Sequence, residues 1–374
     1  MGRKISRSLI LICLFSLAFG SLAVAASMPR LNKGEKWNIA YYEGGPFSDY
    51  AETMKVLLAG LMELGWIDPA DLPRYDREIQ MPYWDWLGQC QSSFLTFKGE
   101  NGFSADWDDQ KRALTRERVL KKLKSGSIDL IIAMGTWAGL DLANNEHSVP
   151  VLVLSTSDPI KAGIIQSVKN SGYAHVTARV DPNRYERQIR MFSRIVDFKT
   201  LGIAYEDTPE GRVYSAVDSA ERIAGERGFK IVSCEVIDTN AGADESDRSC
   251  FECYEKLAET CDAVYVTALT CVDRQGKAIA DIFRKAQTPS FAMVGSRFVK
   301  DGIMLSISSD SGYAALGRYN ARKFGEILNG TKPGDLKQIF EDPLEIAINM
   351  ETVRQIGFKM PESILKIASE IYER

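Results

Sequence analysis

The chain has 374 residues, 45% of them hydrophobic and 26% charged, with a formal net charge of −4 and only two histidines. That length exceeds one comfortable core and predicts two domains. The mildly acidic balance and the lack of a basic cluster argue against a nucleic-acid partner, and two histidines outside any Ser, Cys or carboxylate pattern argue against common acid–base or nucleophilic catalysis.

The N-terminus carries Arg3, Lys4 and Arg7, then an apolar run over 9–19, then the small residues Ala23, Val24, Ala25 and Ala26. This order predicts a removable secretory leader over 1–26 and a periplasmic location. The run falls short of the roughly 20 apolar residues of a membrane span. Cys13 sits inside it and is a poor lipid acceptor. Removing the leader shifts the formal charge from −4 to about −7.

Six cysteines then remain: Cys90, Cys234, Cys250, Cys253, Cys261 and Cys271. Cys250-x-x-Cys253 admits a metal or redox reading, but no second such pair and no nearby histidine completes a zinc set. Export favours structural disulfides with some free buried thiols, of a connectivity that spacing does not reveal.

From Trp37 onward, short apolar runs alternate with amphipathic stretches. Strands are predicted at 38–42, 78–81, 129–134, 151–154 and 176–180, each close to continuously apolar, as a doubly covered parallel sheet requires. The helix after the first strand is expected to start on a capping-box-like Asp49 and Glu52, to bury Met54, Leu57, Leu58 and Leu61, and to stop at Gly65. The stretch 83–107 breaks this rhythm. It is rich in aromatics, lacks a clear period and reads as a binding loop or self-packed insertion.

After Asp181-Pro182 a second series predicts strands at 200–205, 230–236, 263–267, 290–294 and 302–306. Two consecutive β–α arrays predict an α/β fold of two doubly wound parallel-sheet lobes with a ligand cleft between the carboxyl ends of their strands.

The order of segments resembles a known family. The residues that carry the resemblance are Ile128-Asp129-Leu130-Ile131-Ile132-Ala133 with Gly135-Thr136, and Ser155-Thr156-Ser157-Asp158-Pro159 leading to Gly163. Further matches are Gly202-Ile203-Ala204-Tyr205, Cys261-Asp262-Ala263-Val264-Tyr265-Val266, Leu316-Gly317-Arg318, and the tail from Asn349-Met350-Glu351 to Met360-Pro361-Glu362. Over the whole chain after the leader, it resembles the solute-binding proteins of ABC importers of the tryptophan/tyrosine type, which have the type I periplasmic-binding fold.

The resemblance implies three passages between lobes, near Asp181, Asp310 and Gly330, forming a hinge. One lobe would comprise 27–182 and 310–330, the other 183–309 and 331–374. It also implies a monomer without cofactor, metal or catalytic residue, handing a small solute to an ABC permease; the alternative is a sensory module serving a membrane receptor.

Candidate ligand residues lie in turns at strand carboxyl ends, where backbone N–H groups and helix starts favour anionic groups. These are Gly45 and Phe47 after the first strand, Thr136 and Trp137 after the third, and Ser155, Ser157 and Asp158 after the fourth. Plain N-capping by Ser48, Thr136 and Ser157 is the competing role. The second lobe is expected to offer Asp207 and Thr270, with Glu206 and Arg212 as alternatives, and Asp310 at a passage. Thr267-Ala268-Leu269-Thr270 departs from the Asp-Asn that the family commonly carries there. Trp84 and Trp86 are expected either to stack on the ligand or to pack the insertion's own core.

Overall fold

The computed structural model describes residues 26–74, 81–307, 310–341 and 343–373, without the side chains of 310–312. All of the expected leader but Ala26, and most of the strand expected at 78–81, lie outside these residues.

The first lobe runs β1 (Trp37–Glu43), α1 (Ser48–Glu63), α2 (Pro82–Leu87), β2 (Leu95–Ser104), α3 (Asp109–Lys124), β3 (Leu130–Met134), α4 (Gly135–Leu142), β4 (Val151–Leu154) and β5 (Val176–Ala178). Its strands form a parallel sheet in the order β2-β1-β3-β4-β5. Alternation along each strand divides the core in two. Ile39, Tyr41, Ile132 and Leu152 pack on one face, and Ala40, Tyr42, Ile131 and Val153 on the other. Both faces are covered, which is why these strands read as unbroken apolar runs.

The second lobe runs α5 (Arg184–Val196), β6 (Thr200–Tyr205), α6 (Pro209–Tyr214), α7 (Val217–Arg227), β7 (Lys230–Glu235), α8 (Ala243–Thr260), β8 (Ala263–Val266), α9 (Thr270–Ala286), β9 (Ser290–Ala292), α10 (Arg297–Lys300) and β10 (Leu305–Ile307). The chain then returns to the first lobe as α11 (Asp310–Leu328) before adding β11 (Ile346–Asn349), α12 (Met350–Gln355), α13 (Glu362–Ile367) and β12 (Ala368–Tyr372) to the second. The sheet order is β12-β11-β10-β9-β8-β6-β7, parallel except that β11 runs antiparallel to β10.

Helix α11 crosses α1 at close range. A Cβ on Gly317 would stand 2.3 Å from the Val56 carbonyl oxygen, so glycine is what lets the backbones meet. After α11 the chain stays with the first lobe longer than expected. Gly334 donates its N–H to Ala174 O at 3.1 Å, and Val180 exchanges backbone hydrogen bonds with Gln338 and Phe340. Residues 334–340 therefore remain hydrogen-bonded to backbone of the first lobe.

The stretch 83–107 is part of the lobe's frame rather than an insertion, because it supplies most of α2 and the edge strand β2. Its period is hidden by a bulge. Ile39 pairs with Phe97, but Tyr41 pairs with Gly102, leaving residues 98–101 opposite Ala40.

Two disulfides tie the second lobe together. Cys234 on β7 joins Cys253 on α8, and Cys250 on α8 joins Cys271 on α9. Cys250 and Cys253 thus bond different partners and do not act as a pair. Cys90 and Cys261 are free thiols, both pushed up in pKa by burial.

Candidate functional site

A cavity lies between the lobes, at the carboxyl ends of their strands, with about 1130 Å³ of space counted out into its open mouth. The first lobe contributes Phe47, Thr136, Trp137, Ser155 and Ser157, and the second contributes Thr270, all of them candidates from the sequence.

The local folding explains why these hydroxyls face the cavity. The N-cap position of α1 is Phe47 and that of α4 is Met134, and neither helix start is capped by a side chain. Ser48 and Thr136 are therefore free of the capping role, and the expected Asp49 capping box does not form. Asp49 instead accepts hydrogen bonds from Ser155 Oγ and, at 2.6 Å, from Tyr313 Oη. Ser155 itself takes a left-handed backbone, φ 51°, which turns the chain sharply at the end of β4.

Five candidates fall elsewhere. Gly45 lies beneath Trp107, whose indole would stand 2.5 Å from an added Cβ. Asp158 caps its own turn, accepting from the N–H groups of Ile160 and Lys161. Trp84 is 2% exposed and stacks on Tyr41 at 5.8 Å, and Trp86 packs on the same core, so both belong to the lobe interior and not to the cleft. Asp207 is exposed and absent from the cavity wall. Asp310 begins α11, and its side chain lies outside the described residues.

The carboxylate that the second lobe does present is Asp238. It accepts from Thr270 N–H at 2.9 Å, Thr270 Oγ1 at 2.8 Å and Cys271 N–H at 3.3 Å, which pins the start of α9. Burial raises its pKa to about 6, against the lowering effect of those donors. Glu206 acts behind the wall, accepting from Thr239 N–H at 2.9 Å and Tyr214 Oη at 2.7 Å. Arg212 pairs with Asp218 and Glu221 on the surface.

The aromatic lining was largely hidden in the sequence. Trp107 meets Trp137 edge-on at 5.5 Å and is anchored by its indole N–H to Pro46 O at 3.0 Å. Arg112 stacks over Trp137 at 4.7 Å while pairing with Asp141, which fixes that ring. Tyr185 and Tyr214 line the opposite side from the second lobe. Helix α11 adds Tyr313, Leu316 and Asn320, which share one face. Asn320 is 1% exposed, and its amide oxygen has no hydrogen-bond partner. Thr156 Oγ1, in the same wall, is also unpartnered.

Direct contacts join the lobes around this cavity. Ser48 donates to Asp273 through both its hydroxyl and, at 3.2 Å, its N–H, and Arg297 reaches the same carboxylate at 3.3 Å. At another edge Asn240 donates its N–H to Trp107 O at 2.8 Å, and its amide exchanges hydrogen bonds with Asp109 at 2.7 and 3.0 Å. Lys161 Nζ meets Ser219 Oγ at 3.1 Å. The lobes thus touch at more than one edge of the cleft.

Comparison with known proteins gives this architecture its place. The profile of the family described as "ABC transporter substrate binding protein" matches residues 103–372. The chain belongs to that family. As a substrate-binding protein it captures a small solute, and it has the type I periplasmic-binding fold.

Among curated relatives of this substrate-binding protein is a tyrosine-binding protein of Clostridioides difficile (strain R20291), 22% identical over 266 residues, or 70% of this chain and 73% of the relative. Among solved structures, an ABC domain in complex with L-Trp from Streptococcus pneumoniae superposes with a TM-score of 0.70 at 18% identity, covering 90% of this chain and all of the other. A conserved domain protein from Vibrio cholerae gives a TM-score of 0.68, also at 18% identity, over 90% of this chain and all of the other.

Proposed function

We propose that this protein is an exported binding component that captures an aromatic amino acid in its inter-lobe cleft and presents it to an ABC permease, without chemistry of its own. The observation that carries the reading is the mixed wall of the cleft. Trp107 and Trp137 line it from one lobe and Tyr185 and Tyr214 from the other, with carboxylates Asp49 and Asp238 among them.

An aromatic side chain is a natural occupant of such a wall, since stacked or edge-on rings gain about 0.5–1.5 kcal/mol beyond burial. Asp49 and Asp238 suit its ammonium group. The hydroxyls of Thr136 and Ser157, together with Arg179 and Arg184 at the hinge side, suit its carboxylate. The tyrosine- and tryptophan-binding relatives point the same way. The Lys/Arg-led apolar leader supports export, and the hinge is assigned to the passages near Asp181, near Asp310 and after Phe340.

Calorimetric titration of the chain without its leader against tyrosine, tryptophan and phenylalanine tests the ligand class. Binding of at least one of them should stabilise the fold by about 2.7 kcal/mol at a hundredfold excess over Kd. Absence of heat and of thermal stabilisation with all three would overturn the aromatic assignment.

A further inference from the structure

Of the two indoles in the cleft wall, Trp107 is anchored through its own N–H, whereas Trp137 carries a charged side chain on its face. Trp137 and Asp141 lie one turn apart on α4 and so share one side of that helix. Arg112, near the start of α3, reaches both. Its guanidinium carbon stands 4.7 Å from the centre of the Trp137 ring. Its Nε donates to the two Asp141 oxygens at 3.2 and 3.1 Å, and its Nη2 donates to Asp141 Oδ1 at 2.9 Å and to Trp137 O at 3.5 Å.

This pair is itself secured. Asp141 also accepts from Tyr42 Oη on β1 at 2.6 Å, and Tyr42 is fully buried. The Arg112 and Asp141 side chains are 17% and 8% exposed. Burial works against the guanidinium charge, but Asp141 and, from α6 of the second lobe, Glu210 favour it. A planar guanidinium already fixed by its hydrogen bonds loses little more freedom on stacking, and its attraction to a ring grows as water is excluded. Arg112 lies outside the cavity wall, whereas Trp137 lies in it. Any effect of Arg112 on a molecule in the cleft therefore passes through the ring it holds.

We propose that Arg112 is a positioning residue for solute capture, keeping the Trp137 ring in the pose that the solute meets. This role rests on the cleft being the solute site. A ring set in advance spares binding the cost of ordering it.

The test is calorimetric titration of tyrosine into the wild type, into Arg112→Lys, and into the paired variant Arg112→Gln with Asp141→Asn, each with and without Trp137→Leu. Lysine keeps a charge beside Asp141 but not the planar stack. The paired variant avoids leaving Asp141 buried without a counter-charge. Kd is expected to rise about fivefold in Arg112→Lys and about tenfold in the paired variant. Both increments should disappear in the Trp137→Leu background, because residues that act through one another are not additive. Near-ultraviolet circular dichroism of the ligand-free proteins reads the ring without a solute: the difference between wild type and Arg112→Lys should be present with Trp137 and absent in Trp137→Leu. Unchanged Kd in both variants, an increment that persists in Trp137→Leu, or no difference spectrum overturns the proposal. A difference spectrum together with no binding of tyrosine, tryptophan or phenylalanine to the wild type overturns the aromatic assignment of the cleft and supports the hold on Trp137, so the two failures are told apart.

Discussion

Ser48 and Asp273 lie 225 residues apart in the chain and meet across the cleft, the serine donating both its hydroxyl and its N–H to one carboxylate. Ser48 opens the helix behind the first lobe's aromatic wall, and Asp273 lies in the first turn of α9, next to the Thr270 that Asp238 holds. The contact exists only when the lobes are together.

Removing it should therefore weaken ligand binding without touching the ligand. A hydrogen bond to a charged group contributes about 1.5–3 kcal/mol. Ser48→Ala is expected to raise Kd about tenfold, and Asn240→Ala by a similar factor, through faster release. Small-angle scattering of the ligand-free variants should show a larger radius of gyration than wild type. Unchanged scattering and Kd in both would mean that these contacts do not set closure.

Asn320 predicts the opposite pattern. Its amide oxygen is buried without a partner, so the fold bears its desolvation and gains nothing in return. Asn320→Leu should leave the melting temperature unchanged or higher while weakening the cleft ligand about tenfold or more. A fall in stability with intact affinity would assign the residue to packing instead.

The disulfides join residues 19 and 21 apart. Loops of that size contribute about 3 kcal/mol each in the chain-entropy account. Cys234→Ser with Cys253→Ser, or Cys250→Ser with Cys271→Ser, should each lower stability by about that much in urea titrations. Reducing agent should have little further effect on a variant in which all four cysteines are replaced by serine.

Lys323 supplies a pH signature. It is buried in α11, donates to Thr177 Oγ1 at 3.0 Å and Ala178 O at 3.3 Å, and burial lowers its pKa from 10.5 to about 7. Between those two values the unfolded chain binds the proton and the folded chain does not, so this group's contribution to stability grows as pH rises from 7 towards 10.5 and is lost as pH falls through 7. The slope approaches 1.4 kcal/mol per pH unit. Lys323→Met should flatten that part of the stability profile, as followed by denaturant titration at a series of pH values.

How far the chain declares itself in its residues varies by element. The strands β1, β3, β4 and β8 are legible because they are covered on both faces and so read as apolar runs. Edge strand β2 is not, because residues 98–101 loop out opposite Ala40 and erase its alternation. In the cleft, Thr136, Ser155, Ser157 and Thr270 are legible as small or hydroxyl residues just past strand ends. Tyr214, Asp238, Tyr313 and Asn320 reach the same cavity only through tertiary packing. Tyr313, Leu316 and Asn320 share the spacing of an ordinary helix stripe, and nothing local separates a face that lines a cavity from one that lines a core. Trp84 errs in the other direction: its aromatic neighbourhood suggests a ligand, yet Gly102 and Tyr41 leave it inside the lobe.

Both cross-links fall in the second lobe, and one of them ends at Cys271, beside Thr270 on the cavity wall. Thiol oxidation thus finishes one jaw of the molecule, while the other jaw closes by packing alone. A chain kept among reductants would have a sound half and a slack half, and would hold its solute poorly. Retention of the solute would then report on where the protein has been as well as on what it has met.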